Sequence, residues 1–200
     1  MNEIEKVREE FKNKKYLYLK NVVPKKICYF LTSSLLLNSR INNKGDHQVP
    51  NAKTIISHEL MFDTLLELVW PMLEETINEK LIPTYSYARL YQNGNILNKH
   101  SDRESCEISV TIQLGRSHHY SWPIFMGGNR VDLAEGDAVV YKGIEIEHWR
   151  EECKGPNNYY SGQVFLHYVR ENGQYKNHAL DKRWEKNPFN RNDNNLMLNK

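Results

Sequence analysis

The longest regular pattern in the chain runs from Cys106 to Leu114. Cys106, Ile108, Val110, Ile112 and Leu114 fall on one side of an alternation, and Glu107, Ser109, Thr111 and Gln113 on the other. A period of two predicts a strand over 105–114 with one apolar and one polar face. Upstream, the period is helical. Ile4, Val7 and Phe11 predict a short helix over 3–13, and KYLYLKNVV (15–23) reads as a strand. Pro24 suits the first turn of a second helix, with Ile27, Phe30, Leu31 and Leu35 as its apolar positions. Residues 39–53 are polar and turn-rich and read as a loop that could lie over a site. Residues 58–80 read as a third helix whose inner stripe is Leu65, Leu66, Val69, Leu73 and Ile77, with a kink or break expected at Pro71.

From Leu81 the texture becomes that of short strands. PTYSYARLYQ is aromatic and extended, and the 105–114 strand follows it. WPIFMGG, NRVDL, EGDAVVYKG and SGQVFLHYV are further candidates separated by glycine-rich turns. In GIEIEHWRE, Ile144 and Ile146 alternate with Glu145, Glu147 and Trp149. Helices followed by a run of strands predict a mainly β protein, an antiparallel sandwich or barrel braced by N-terminal helices. The organisation expected is a helical brace over 1–80, a β core over 81–170 and a polar, Asn-rich tail over 171–200, where Trp184 and Phe189 could act as anchors.

Composition narrows the function classes. Two hundred residues, 40% of them hydrophobic, can bury one real core. A net charge of +2 without a long basic run argues against a nucleic-acid binder that works through phosphate attraction. Cys28, Cys106 and Cys153 are odd in number and widely spaced, which fits reduced thiols better than a disulfide framework. The N-terminus lacks the apolar run of a signal peptide, and no stretch approaches a membrane span. A soluble, cytoplasmic protein is expected. The sequence fixes no oligomeric state.

The candidate chemistry sits just before the regular strand, in NKHSDRE. If an extended lead-in reaches residue 100, His100 and Asp102 point the same way, half of a metal site. Two histidines and one carboxylate make a facial triad for Fe(II), whereas zinc more often takes three or four ligands including cysteine. Among eight histidines, His118 and His119 lie in a turn-like stretch, His47 and His58 in or beside the polar loop, and His178 in the tail. His148, just past EGDAVVYKG, and His167, inside SGQVFLHYV, remain as third ligands.

YARLYQNGNILNKHSD, CEISVTIQLG, GDAVVYKG, EHW and SGQVFLHYV, taken in order, resemble the prolyl 4-hydroxylase-like branch of the Fe(II)/2-oxoglutarate-dependent dioxygenases over Tyr85 to Val169. The resemblance implies a double-stranded β-helix (jelly roll) with His100, Asp102 and His148 as iron ligands. It also implies 2-oxoglutarate as co-substrate, O2 as oxidant, and hydroxylation of an aliphatic C–H coupled to release of succinate and carbon dioxide. Family members pair the far carboxylate of 2-oxoglutarate with an arginine or lysine on the closing strand. Here that position falls on Gln163, which can hydrogen-bond a carboxylate but supplies no charge. Arg150, two residues after His148 and on the same side of an extended chain, is the expected substitute, with Arg89 as runner-up. Tyr91 matches the family's pocket tyrosine, and Thr111 and Gln113 could add hydrogen bonds from the polar face of their strand. Arg103 is expected to point away from the metal, and His167 to form pocket wall.

The substrate is left open: a peptidyl proline, another side chain, an amino acid or a small metabolite. Loops 39–53 and 151–160 are the expected recognition elements, and Trp122, Trp149 and Trp184 could line a cleft. Two rivals stand beside the oxygenase. One is a non-catalytic jelly-roll module that binds no metal; the other is a cupin-like metal enzyme that does not use 2-oxoglutarate.

Overall fold

The apolar side of the 108–114 alternation faces helices, and its polar side faces the inside of a β-sandwich. The computed structural model describes residues 2–41, 45–57 and 59–182. Three helices, α1 (Glu3–Lys14), α2 (Lys25–Ile41) and α3 (Leu60–Ile77), accompany ten strands. The strands are β1 (Tyr16–Leu19), β2 (Thr54–Ser57), β3 (Leu81–Gln92), β4 (Leu97–His100), β5 (Ile108–Arg116), β6 (Ile124–Met126), β7 (Asn129–Val131), β8 (Ala138–Tyr141), β9 (His148–Arg150) and β10 (Tyr160–Arg170). One sheet has the order β1-β8-β5-β10-β3-β2 and the other β4-β9-β6-β7, with every pairing antiparallel. This is the jelly roll braced by N-terminal helices that the sequence leads one to expect.

Register explains the two faces. Ile108, Val110 and Ile112 of β5, Val164 and Leu166 of β10, and Ala88 and Leu90 of β3 pack in one cluster with Leu35 of α2 and Leu66 of α3. The intervening residues face the other way and lie in rows across the sheet. Arg89, Gln163 and Gln113 form one row; Tyr87, Phe165 and Thr111 the next; Tyr85, His167 and Ser109 the third. A sheet covered on both sides buries its polar residues too, and Ser109, Thr111, Gln113, Gln163 and His167 are all buried.

Local chemistry fits the elements. Asn2 and Glu5 form a reciprocal capping box at the start of α1, with acidic residues in its first turn and lysines in its last. Gly127 and Gly128 take positive φ between β6 and β7, as a two-residue hairpin turn of this twist requires.

Several expectations need correction. Strand β5 starts at Ile108; Glu104–Cys106 is a turn of 3-10 helix, so His100 does not continue that strand but ends β4 in the other sheet. Ile144 and Ile146 lie in a turn, and the strand there is only His148–Arg150. Pro71 does not divide α3; it is exposed, so water can serve the carbonyl that its missing N–H leaves free. Strand β2 lies where no strand was expected. On α2 the buried residues are Cys28, Leu31, Thr32 and Leu35, while Ile27 and Phe30 face solvent. The helix is apolar on two sides, so periodicity alone does not say which side meets the sheet. In the tail, Leu180 is buried in the main core, whereas Trp184 and Phe189 lie outside the described residues.

The two faces of α2 should separate cleanly in unfolding experiments. Leu35→Ala, at a fully buried position, should cost about 2–5 kcal/mol in urea denaturation, whereas Phe30→Ala, 63% exposed, should stay within about 0.5 kcal/mol of the parent.

Candidate metal centre

Strand β4 pairs with β9 so that His100 stands directly opposite His148, and their ring centroids are 4.3 Å apart. Two residues on, Asp102 leaves the strand, and its N–H donates to the Gly143 carbonyl at 2.9 Å. Its Oδ1 lies 3.8 Å from His100 Nε2 and 3.5 Å from His148 Nε2. One ligand atom from each of the three falls within 4.8 Å of the others. The close approach at the turn needs Gly143, because a Cβ there would lie 2.4 Å from Asp102 Oδ2.

The outer contacts aim these groups. His100 Nδ1–H donates to the Asn98 carbonyl at 2.7 Å, and His148 Nδ1–H to the Ile146 carbonyl at 3.2 Å. Each bond fixes the tautomer and turns the Nε2 lone pair toward the shared centre. Asp102 Oδ2 accepts from Ser109 Oγ at 2.8 Å. Burial by itself would raise the Asp102 carboxyl. Hydrogen bonding and charge from His148, with help from His167 and Ser109, outweigh it and hold the group at about 2. Burial, followed by the neighbouring His148, lowers His100, so its imidazole is neutral and free to ligate. Two imidazole nitrogens and one carboxylate oxygen are the donor set of a facial metal site with positions left open.

The centre opens on a cavity of about 450 Å3, whose wall includes Asp46, Arg89, Thr111, Phe165 and His167. Of the loop 39–53, Asp46, His47 and Gln48 reach this cavity; no residue of 151–160 does. Trp122 and Trp149 do not line it either, the first packing edge-on against Tyr91 and the second stacking on Phe125. Trp184 and His58 lie outside the described residues. Arg103 guanidinium sits over the Tyr85 ring at 4.7 Å and pairs with Asp181 at 3.1 Å.

The two candidate arginines differ in their company. Arg89 lines the cavity, but its charge is already matched: Nη2 contacts Asp46 Oδ2 at 2.6 Å, and Nη1 donates to Tyr91 Oη at 2.7 Å. Arg150 is buried behind the cavity wall. It donates to the Trp122 carbonyl at 2.5 Å and to Gln163 Oε1 at 2.9 Å, and its Nε has no partner. No carboxylate pairs with it among the described residues, and burial lowers its pKa to about 10. A buried guanidinium held by neutral groups alone carries a charge that no neighbour matches. Gln163 also donates to Gln113 Oε1, which joins β10 to β5 beneath that guanidinium. Neither glutamine, nor Tyr91, reaches the cavity surface.

No protein-family model matches the chain, and no curated protein matches it in sequence. Solved structures match it in shape. A prolyl-4-hydroxylase from Pseudomonas putida aligns with a TM-score of 0.63 over 85% of this chain and 100% of its own, at 14% identity. An oxidoreductase of the 2OG-Fe(II) oxygenase family from Burkholderia pseudomallei gives 0.60 over 86% and 93%, also at 14% identity. The fold is that of the 2-oxoglutarate/Fe(II) oxygenases. HygX from Streptomyces hygroscopicus, solved with nickel, 2-oxoglutarate and hygromycin B bound, gives 0.64 over 84% and 87% at 10% identity. Identities this low make the likeness one of fold.

Sequence reasoning did not single out Ser109, Tyr141 or Asp46 for the site. Ser109 was legible in principle, since it shares the polar side of β5 with Thr111 and Gln113. Tyr141, whose ring lies 4.7 Å from that of His148, comes from a strand that reads as simply apolar. Asp46 comes from the polar loop, where nothing local marks one acid above another.

His167 supplies a pH test. It is buried against Ser109, whose Oγ lies 2.9 Å from its Nδ1, and burial lowers its pKa to about 4. An unfolded histidine titrates near 6.5, so between about 6.5 and 4 the unfolded chain binds the extra proton. The stability is therefore complete above pH 6.5 and is lost as pH falls toward 4, by about 3 kcal/mol in the metal-free protein. Urea denaturation across that range should show a shallower slope for His167→Asn than for the parent.

Proposed function

We propose that the protein is a Fe(II)- and 2-oxoglutarate-dependent oxygenase that hydroxylates an aliphatic C–H. The observation that carries this is the His100–Asp102–His148 centre at the mouth of a cavity in a jelly roll. The outcome of the resemblance in sequence and the likeness in fold point the same way. HygX, a neighbour in fold, is described with 2-oxoglutarate and nickel bound, which supports the same pair of groups here. With both bound, Fe(II) and 2-oxoglutarate supply the oxygen-activating chemistry.

The residues then divide the work. His100, Asp102 and His148 hold the metal on one side, and Asn98, Ile146 and Ser109 keep their ligand atoms aimed. Arg150 holds the far carboxylate of 2-oxoglutarate, with Gln163 orienting the guanidinium and Tyr91 beside it. Rise along a strand puts Arg150 about 6.6 Å from His148, the reach of a short diacid. The electrostatics supports Arg150 over Arg89, because Asp46 already pairs with Arg89. Thr111 and Phe165 shape the wall between, and a cavity lined by such groups limits water at the metal. The substrate is a peptide or small molecule that enters past residues 46–48, and Asp102 as a ligand favours hydroxylation over halogenation.

A cupin-like metal enzyme that does not use 2-oxoglutarate is the second reading. It is favoured by one observation, that Arg150 lies behind the cavity wall while the arginine on the wall is already paired.

Anaerobic addition of Fe(II) and then 2-oxoglutarate to the metal-free protein should give a saturable visible band from the chelated keto acid. Asp102→Ala should abolish it. Arg150→Gln should weaken 2-oxoglutarate about 100-fold while leaving Fe(II) affinity within a few-fold. A reversed outcome, with Arg89→Gln losing the co-substrate and Arg150→Gln retaining it, would move the carboxylate site to Arg89. Iron binding with no band at any 2-oxoglutarate concentration would favour the second reading.

A further inference from the structure

Behind the His100–Asp102–His148 centre, the same cavity holds a second group of metal-ligating atoms. Asp102, Cys106 and His167 each offer one, and these also fall within 4.8 Å of one another. We propose that these three form a second metal position, which takes a borderline-soft divalent ion such as Zn(II) and competes with the first centre for the Asp102 carboxylate. The proposal does not depend on the oxygenase reading.

The fold brings these residues together from three places. Asp102 follows β4, Cys106 closes the 3-10 turn before β5, and His167 lies on β10 opposite Ser109. Asp102 belongs to both groups. Oδ1 is the atom 3.5 and 3.8 Å from the two histidine Nε2 atoms. Oδ2 is held by Ser109 Oγ, which also contacts His167 Nδ1 at 2.9 Å. All three side chains line the cavity, so an ion reaching the first centre reaches the second.

The donors set the metal class. A sulfur, an imidazole nitrogen and a carboxylate oxygen suit Zn(II), which is often bound by such mixed sets; a thiolate is a poor match for Mg2+ or Ca2+. Cys106 differs from the other two cysteines in its polar surroundings. Tyr85 Oη lies 3.2 Å from its sulfur, whereas Cys28 has only a carbonyl contact and Cys153 packs in an apolar cluster. Binding replaces the Cys106 S–H by a sulfur–metal bond and releases one proton to solvent, with no change of oxidation state.

Co(II), as a spectroscopic stand-in for Zn(II), tests the site in the full-length metal-free protein under anaerobic conditions. A thiolate-to-cobalt charge-transfer band should saturate at one equivalent in a His100→Ala/His148→Ala variant and persist in Cys28→Ser/Cys153→Ser. Cys106→Ser should abolish it, and His167→Gln should weaken Co(II) by about tenfold or more. In the parent protein, added Zn(II) should raise the apparent Kd for Fe(II), and in Cys106→Ser it should do so less steeply, because only direct exchange at the first centre remains. X-ray absorption of the zinc-loaded parent reads the sulfur directly, with Zn–S near about 2.3 Å, and needs no variant to fold. No sulfur in that shell, or a band that survives Cys106→Ser, would overturn the proposal. Loss of Fe(II) binding in His100→Ala/His148→Ala with the cobalt band retained would bear on the first centre alone.

Discussion

His100 and His148 face each other across the β4–β9 pair, and the site depends on that register. A shift by one residue would turn one imidazole to the opposite face of the sheet, because side chains alternate along a strand. The pairing carries an irregularity between Leu97 and His100, so the strand bends as it delivers the histidine. Asp102 is then set by backbone contacts, its N–H on the Gly143 carbonyl, and not by strand geometry. Two of the candidate ligands come from a ladder and the third from a turn. The turn is tight enough that residue 143 must lack a Cβ.

The larger sheet makes the space. Its outer side is aliphatic and closes on α2 and α3, which leaves the inner side free to carry polar residues. In the rows of such residues Gln163 is hydrogen-bonded to Gln113 and His167 to Ser109, and all four are buried. Groups of this kind are costly when unsatisfied, so they fix side-chain orientation around the cavity. The two exceptions in that network are the orphaned Nε atoms of Arg89 and Arg150. Among the described residues Arg89 is paired with a carboxylate and Arg150 is not.

A low-dielectric interior also ties the groups to one another. Burial would raise the Asp102 carboxyl, and His148, His167 and Ser109 outweigh that cost and keep it ionised. The same carboxylate stands between two sets of ligand atoms. Occupation of either set therefore alters the field felt by the other.

The sequence by itself determined the larger part of the fold. Period-two alternation located β5, short strand-like runs between glycine-rich turns located β10, and helical spacing located α1, α2 and α3. The spacing in His100-x-Asp102 and the segment around His148 were legible as metal chemistry because ligand types are few and their order along the chain matched a known pattern. Tertiary structure decided what periodicity cannot encode. It chose which apolar face of α2 is buried, since both faces have the same period. It moved His100 from the lead-in of β5 to β4, because pairing partners lie 48 residues apart at His148 and leave no local trace. It also placed Asp46 against Arg89 and, among the described residues, no carboxylate against Arg150. Charge pairing is set by distance in space, and residues 46 and 89 carry no signal of it in the chain.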